Sequence, residues 1–126
     1  MSLSAPRPVT TLKKRAEFKR LSSQGVRRGA LAFTLRAGPA EQATGRFGFT
    51  VTKKTGNAVE RNRIRRRLKA AARMLDAGAG PDLDAVVIAR RECLVQDFAA
   101  LRADLDRQMA AARHRIAHLT TVAAAR

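Results

Sequence analysis

The sequence predicts a single α+β domain, a small sheet with helices in the order α-β-β-α-β-α. Two short runs with apolar residues at every second position, one almost continuously apolar run, and three stretches of helical periodicity around them carry that expectation. A chain of 126 residues is long enough for one core and short for two. One domain is therefore expected over residues 1–126, ordered from about residue 10 to about residue 113, with a flexible N-terminal segment and an Ala-rich C-terminal tail that frays.

Residues 12–22 (LKKRAEFKRLS) set Leu12, Phe18 and Leu21 at near-helical spacing, and Gly25 follows where a helix can stop, so a short first helix is expected. Residues 31–35 (LAFTL) place Leu31, Phe33 and Leu35 on one side of a strand, and residues 46–52 (RFGFTVT) do the same with Phe47, Phe49 and Val51. A Gly-Pro loop over residues 38–45 joins the two. Asn57, followed three residues later by Glu60, forms a capping-box pattern that opens the second helix, which Gly78, Gly80 and Pro81 close. Residues 83–89 (LDAVVIA) are so nearly all apolar that a strand covered on both faces, in the sheet interior, is expected. From Asp97, a candidate N-cap, Phe98, Leu101, Leu105, Met109 and Ala112 mark one face of a final helix to about residue 113.

Charge decides the function class. Twenty-six Lys and Arg against ten Asp and Glu give a net charge of +16, a field that attracts polyanions and exceeds what solubility requires. No apolar run reaches the roughly 18 residues of a membrane span, and the N-terminus lacks the apolar stretch of a signal peptide. A cytoplasmic protein with no membrane partner is expected. Cys93 is the single cysteine; it cannot pair within the chain and reads as a packing residue.

The basic residues concentrate on the second helix and the loop before it. At about 100° per residue, Ile64, Leu68, Ala71 and Leu75 fall within about 60° of one another and must face the sheet. Asn62, Arg65, Arg66, Lys69 and Arg73 fan over the opposite side, with Arg63 and Arg67 on one flank and Arg61 near the other. Residues 53–73 hold nine bases and one acid, Glu60, whereas a merely solvated face mixes signs. Like charges at i, i+4 destabilise the free helix by a few tenths of a kcal/mol per pair, and a bound polyanion relieves that repulsion. Gly56 permits a tight turn beside Lys53 and Lys54, and free amides at the helix start add donors for phosphate.

The stretch Lys53-Lys54-Thr55-Gly56-Asn57-Ala58-Val59-Glu60-Arg61-Asn62-Arg63-Ile64-Arg65-Arg66 closely resembles the signature of the bacterial ribonuclease P protein family, and the element order over about residues 10–113 is that family's order. The resemblance implies a protein that pairs with a large catalytic RNA to remove the 5′ leader from precursor tRNA, the RNA performing the hydrolysis with Mg²⁺ and the protein binding no cofactor alone. It implies RNA contacts at Lys53, Lys54, Asn57, Arg61, Asn62, Arg63, Arg65, Arg66 and Lys69, to which the helical fan adds Arg73. It further implies a leader-binding cleft between sheet and first helix, with Phe18 as a stacking ring and Arg36 on the first strand. Many relatives carry a second aromatic where this chain has Ser22, which weakens the expected stacking. A left-handed strand-helix-strand crossover is also implied, against the usual right-handed rule.

Residues for independent catalysis are missing from the pattern. The acids are scattered, and a nuclease needs converging carboxylates or a positioned His. Asp82 and Asp84 share a strand face but follow Gly-Pro, where Asp serves turns. His114 and His118 lie one turn apart in the tail without a third ligand. Composition alone fits a structural RNA-binding protein, such as a ribosomal component, equally well. A duplex-DNA reader fits less well, because the helix offers phosphate contacts in place of mixed polar base readers.

Overall fold

The computed structural model describes residues 12, 15–41, 45–75 and 83–124. The N-terminal segment, Gly78, Gly80, Pro81 and Asp82 lie outside these residues. Helix α1 (Arg15–Gln24) leads into strands β1 (Val26–Gly29), β2 (Phe33–Pro39) and β3 (Phe47–Thr50), then a 3-10 turn (Lys53–Thr55) and helix α2 (Ala58–Arg73). Strand β4 (Leu83–Ala89), a single turn α3 (Glu92–Val95) and the long helix α4 (Phe98–Ala124) complete the chain. The sheet order is β1-β2-β4-β3. β4 is central, antiparallel to β2 and parallel to β3, so α2 makes the crossover between the two parallel neighbours.

The α+β class and the six expected elements are present, together with two short ones that the sequence pattern hid. β1 reads Val-Arg-Arg-Gly and exposes all but its first residue, so it shows no apolar alternation and forms because β2 offers a free edge. α3 is too short to show a helical period. Leu31 was expected on the inward side of the strand, yet it is 64% exposed, in a bend before β2 begins. Ala32 and Phe33 take the buried positions instead. The last helix does not fray at residue 113. Ile116 continues the stripe of Met109 and Ala112 and is buried, and the alanines that follow favour helix, so α4 continues to Ala124.

The sheet separates two apolar layers. On one face Phe33, Leu35, Ala85 and Val87 pack with Ile64, Leu68 and Ala71 of α2 and Leu101, Leu105, Met109 and Ala112 of α4. Cys93 sits in this core, where burial pushes its thiol up to about 11 and it donates to the Ala32 carbonyl at 3.2 Å; it is a packing residue, as expected. On the other face α1 covers only part of the sheet, its Phe18 and Leu21 packing with Leu12, which precedes the helix, against Val86 and Ile88. Gly48 makes this possible. A Cβ there would lie 2.6 Å from the Phe18 ring, so only a hydrogen lets the ring rest on β3.

Between α1 and the sheet lies a cluster of buried charge. Asp84 is 0% exposed. It accepts from the Arg46 amide at 3.1 Å, from Arg46 Nη2 at 3.1 Å and from Arg20 Nη2 at 2.8 Å. Arg46 in turn donates to Glu17 of α1 at 2.8 Å. Burial alone would raise the Asp84 carboxyl, but hydrogen bonds from Arg46 and from the Glu41 amide hold it below the ordinary aspartate range. Asp84 is therefore the hub of a folded ion network, in place of the turn chemistry expected of it.

Candidate nucleic-acid interface

Helix α2 begins as the sequence pattern requires. The Asn57 side chain accepts from the Glu60 amide at 2.9 Å, and Glu60 Oε1 accepts from the Asn57 amide at 3.0 Å, a complete capping box. Ile64, Leu68, Ala71 and Ala72 are buried, with Leu75 half-buried at the end of the same stripe. That stripe points Asn62, Arg63, Arg66, Lys69 and Arg73 to solvent, with Arg65 half-buried beside them. Among the described residues, no ion pair or side-chain hydrogen bond engages Arg63, Arg65, Arg66, Lys69 or Arg73.

Two arginines of the helix also bond within the protein. Arg61 donates to the Gly56 carbonyl at 2.9 Å, which ties the helix start to the loop while leaving it half-exposed. Arg67 donates to the Gln96 carbonyl and lies over the Phe98 ring at 5.9 Å, stapling α2 to the α3–α4 junction. Arg67→Ala is expected to lower stability by about 1–2 kcal/mol through the lost hydrogen bond and cation–π contact. Urea unfolding would measure it, and the salt dependence of RNA binding should stay as in the wild type.

The loop before the helix is fixed from outside. Lys53 and Lys54 sit exposed in the 3-10 turn, held by Thr55 N on the Thr52 carbonyl at 3.0 Å. Gly56 follows in an extended conformation, so its value is clearance in place of the expected tight turn. A Cβ there would meet Glu60 Oε1 at 2.7 Å and Arg91 Nη1 at 3.1 Å. Arg91, just past β4, donates to the Thr55 carbonyl at 3.0 Å and to Glu60 Oε2 at 3.0 Å. The Arg91 guanidinium, and after it the Asn57 amide, hold the Glu60 carboxyl below the ordinary range.

Phe18 and Arg36 do not join this surface; they lie on the α1 side of the sheet. Register places Arg36 beside Arg27 on β1 and Val86 on β4, and its Nη1 donates to the Ser22 carbonyl at 2.8 Å. Phe18 is half-buried over Gly48, part core and part open surface. Arg90, at the end of β4, braces the β1–β2 connection through the Ala30 carbonyl and Thr34 Oγ1. Sequence reasoning missed Arg46, Arg90 and Arg91. The signal for the first was Asp84, an acid inside an apolar strand that must find a buried cation; Arg90 and Arg91 read only as the polar exit of that strand.

Among the described residues no three His, Cys, Asp or Glu side chains gather as metal ligands. His114 and His118 are exposed on α4. No helix of the described residues is long and apolar enough to cross a membrane.

Known proteins share both sequence and fold. The chain is 42% identical over 119 residues to the ribonuclease P protein component of Brucella melitensis, covering 86% of this chain and 84% of that protein. It is 46% identical over 100 residues to that of Paramagnetospirillum magneticum, covering 75% of each. The RNase P protein of Staphylococcus aureus superposes with a TM-score of 0.71 at 26% identity, over 84% of this chain and 97% of that one. That of Thermotoga maritima shares the fold, with a TM-score of 0.66 at 24% identity over 75% of this chain and 90% of its own. Residues 7–113 match the family model for ribonuclease P, and the chain therefore belongs to the ribonuclease P protein component family, part of a tRNA-processing endoribonuclease complex.

Proposed function

We propose that this chain is the protein subunit of ribonuclease P and binds two RNAs on two faces. The catalytic RNA lies on α2 and the loop before it, through Lys53, Lys54, Asn57, Arg61, Asn62, Arg63, Arg65, Arg66, Lys69 and Arg73. The 5′ leader of precursor tRNA lies on the α1 side of the sheet, with a base on Phe18 and its phosphates near Arg36. The observation that carries this reading is the row Arg63, Arg65, Arg66, Lys69 and Arg73, without side-chain partners among the described residues, opposite a stripe that anchors the helix in the core. Such a row gains only when phosphates replace water around it.

The division of labour follows from the donors present. Asp84 is already paired with Arg46 and Arg20, and in this reading Mg²⁺ is held by the RNA partner. Hydrolysis is the RNA's; Mg²⁺ held there would activate a water as the nucleophile and stabilise the leaving oxygen. The protein's cations offset repulsion between the leader strand and the catalytic RNA, a task that Mg²⁺ alone performs only at high concentration. With Ser22 in place of a second ring, the leader rests on one aromatic. This work takes place in the cytoplasm, where precursor tRNA is processed.

A reconstituted cleavage reaction tests the reading. The protein alone should leave precursor tRNA intact, and its addition to the RNA subunit should restore cleavage at a Mg²⁺ concentration where the RNA alone is slow. No gain over RNA alone would sink the processing role and leave a structural RNA-binding protein.

A further inference from the structure

We infer that Arg91, outside the basic stretch, is a positioning residue for the catalytic-RNA surface: it clamps the Lys53–Thr55 turn onto the start of α2 and neutralises Glu60, the one acid there. The inference rests on the α2 surface being the RNA-binding face. Both ends of its guanidinium are spent on the protein, Nη1 on the Thr55 carbonyl at 3.0 Å and Nη2 on Glu60 Oε2 at 3.0 Å. The two acceptors belong to the two halves of the surface. Thr55 closes the turn that carries Lys53 and Lys54, and Glu60 is the N3 residue of α2, already holding the Asn57 amide. Gly56 lies between them, and the absence of a Cβ is what lets Glu60 and Arg91 meet across it.

Glu60 creates the need for this clamp. Its carboxylate completes the capping box, yet it is the one acid in a sequence stretch that holds Lys53, Lys54, Arg61 and Arg63, the residues proposed to meet phosphates. Without a cation against it, the cap that starts the helix would repel the ligand that the helix binds. Arg91 cancels that charge while its fork also fastens the loop, a double reach that a lysine ammonium does not reproduce. The Arg91 side chain is 59% exposed, so the ion pair by itself contributes little to folding stability. Its effect belongs in RNA binding, where the loop and the helix must present their donors together.

Binding of Arg91→Ala, Arg91→Lys, Glu60→Gln and the Arg91→Ala/Glu60→Gln double variant to a ribonuclease P RNA transcript, measured across a salt series, tests the inference. Arg91→Ala should weaken binding on the order of tenfold, the scale of ordering one loop on association, with the slope of log affinity against log salt lowered by less than the roughly 0.7 to 0.9 of one phosphate contact. Arg91→Lys should fall between it and wild type. Adding Glu60→Gln to Arg91→Ala should recover part of the loss, because no bare carboxylate then faces the RNA. A slope reduced by roughly 0.7 to 0.9 would make Arg91 a direct phosphate ligand and overturn the positioning role. Unchanged affinity, or a double variant no better than Arg91→Ala, would overturn it too. If Arg91→Ala does not fold, Arg91→Lys carries the test, since wild-type affinity for it would refute the two-acceptor clamp. Wild-type protein that fails to bind this RNA would end the parent reading and this one together, whereas wild-type binding with an indifferent Arg91 ends only this one.

Discussion

Replacing Arg65, Arg66 and Lys69 together by alanine is expected to cost RNA affinity by two to three orders of magnitude at about 0.1 M salt while leaving the fold intact. Each phosphate neutralised contributes roughly 0.7 to 0.9 to the slope of log affinity against log salt, so three lost cations reduce that slope by roughly two to three units. The two curves should converge near about 1 M salt, because what is removed is counterion release. Stability should move the other way. Arg65 stands four residues from both Arg61 and Lys69, and each like-charged pair removed relieves a few tenths of a kcal/mol. Alanine also carries the best helix propensity, so thermal unfolding of the triple variant should occur at or slightly above the wild-type temperature. Filter binding across a salt series, with circular dichroism melts beside it, reads both effects. An unchanged slope would return this side of α2 to solvent.

The reach of the interactions, local or distant in the chain, explains how much of the basic surface was legible in the sequence. α2 is governed by local rules: a side-chain cap at Asn57, a 3.6-residue apolar period through Ile64 and Leu68, and a charge pattern too one-sided for a solvated face. All three survive into the structure. β4 was legible for the same reason, since its apolar run has only one setting, the middle of the sheet. What stayed hidden depends on partners distant in the chain. β1 exists only because β2 pairs with it, and the end of α4 holds because Ile116 reaches the core from beyond an alanine-rich stretch. Arg67 looked like one more member of the fan until Gln96 and Phe98, about thirty residues on, turned it inward. Arg91 reaches back across a similar span to Thr55 and Glu60.

The same logic makes Asp84 the residue whose loss should cost the fold most. In Asp84→Asn the amide oxygen can still accept from one side of Arg46, but the amide nitrogen becomes a donor facing the donors of Arg46, Arg20 or the Glu41 amide. Breaking one side of a buried ion pair typically costs about 3–5 kcal/mol, a large share of the roughly 5–15 kcal/mol that holds a domain together. For a chain of this size that corresponds to a melting temperature lower by about 10–20 °C. Acid should reveal the cause. The folded state holds the Asp84 carboxyl below its ordinary value of 3.8, so its contribution is fully present above the unfolded value and drains away as pH falls through the folded one. Wild type and Asp84→Asn should therefore differ most near neutral pH and converge below the ordinary carboxylate range. A stability gap that stays constant into acid would mean that Asp84 acts by shape alone. A gap that closes would show that charge fastens α1 to the sheet, through Arg20 and through Arg46 with Glu17. Since Phe18 rides on α1, the α1 side of the sheet should then loosen with the same acid titration.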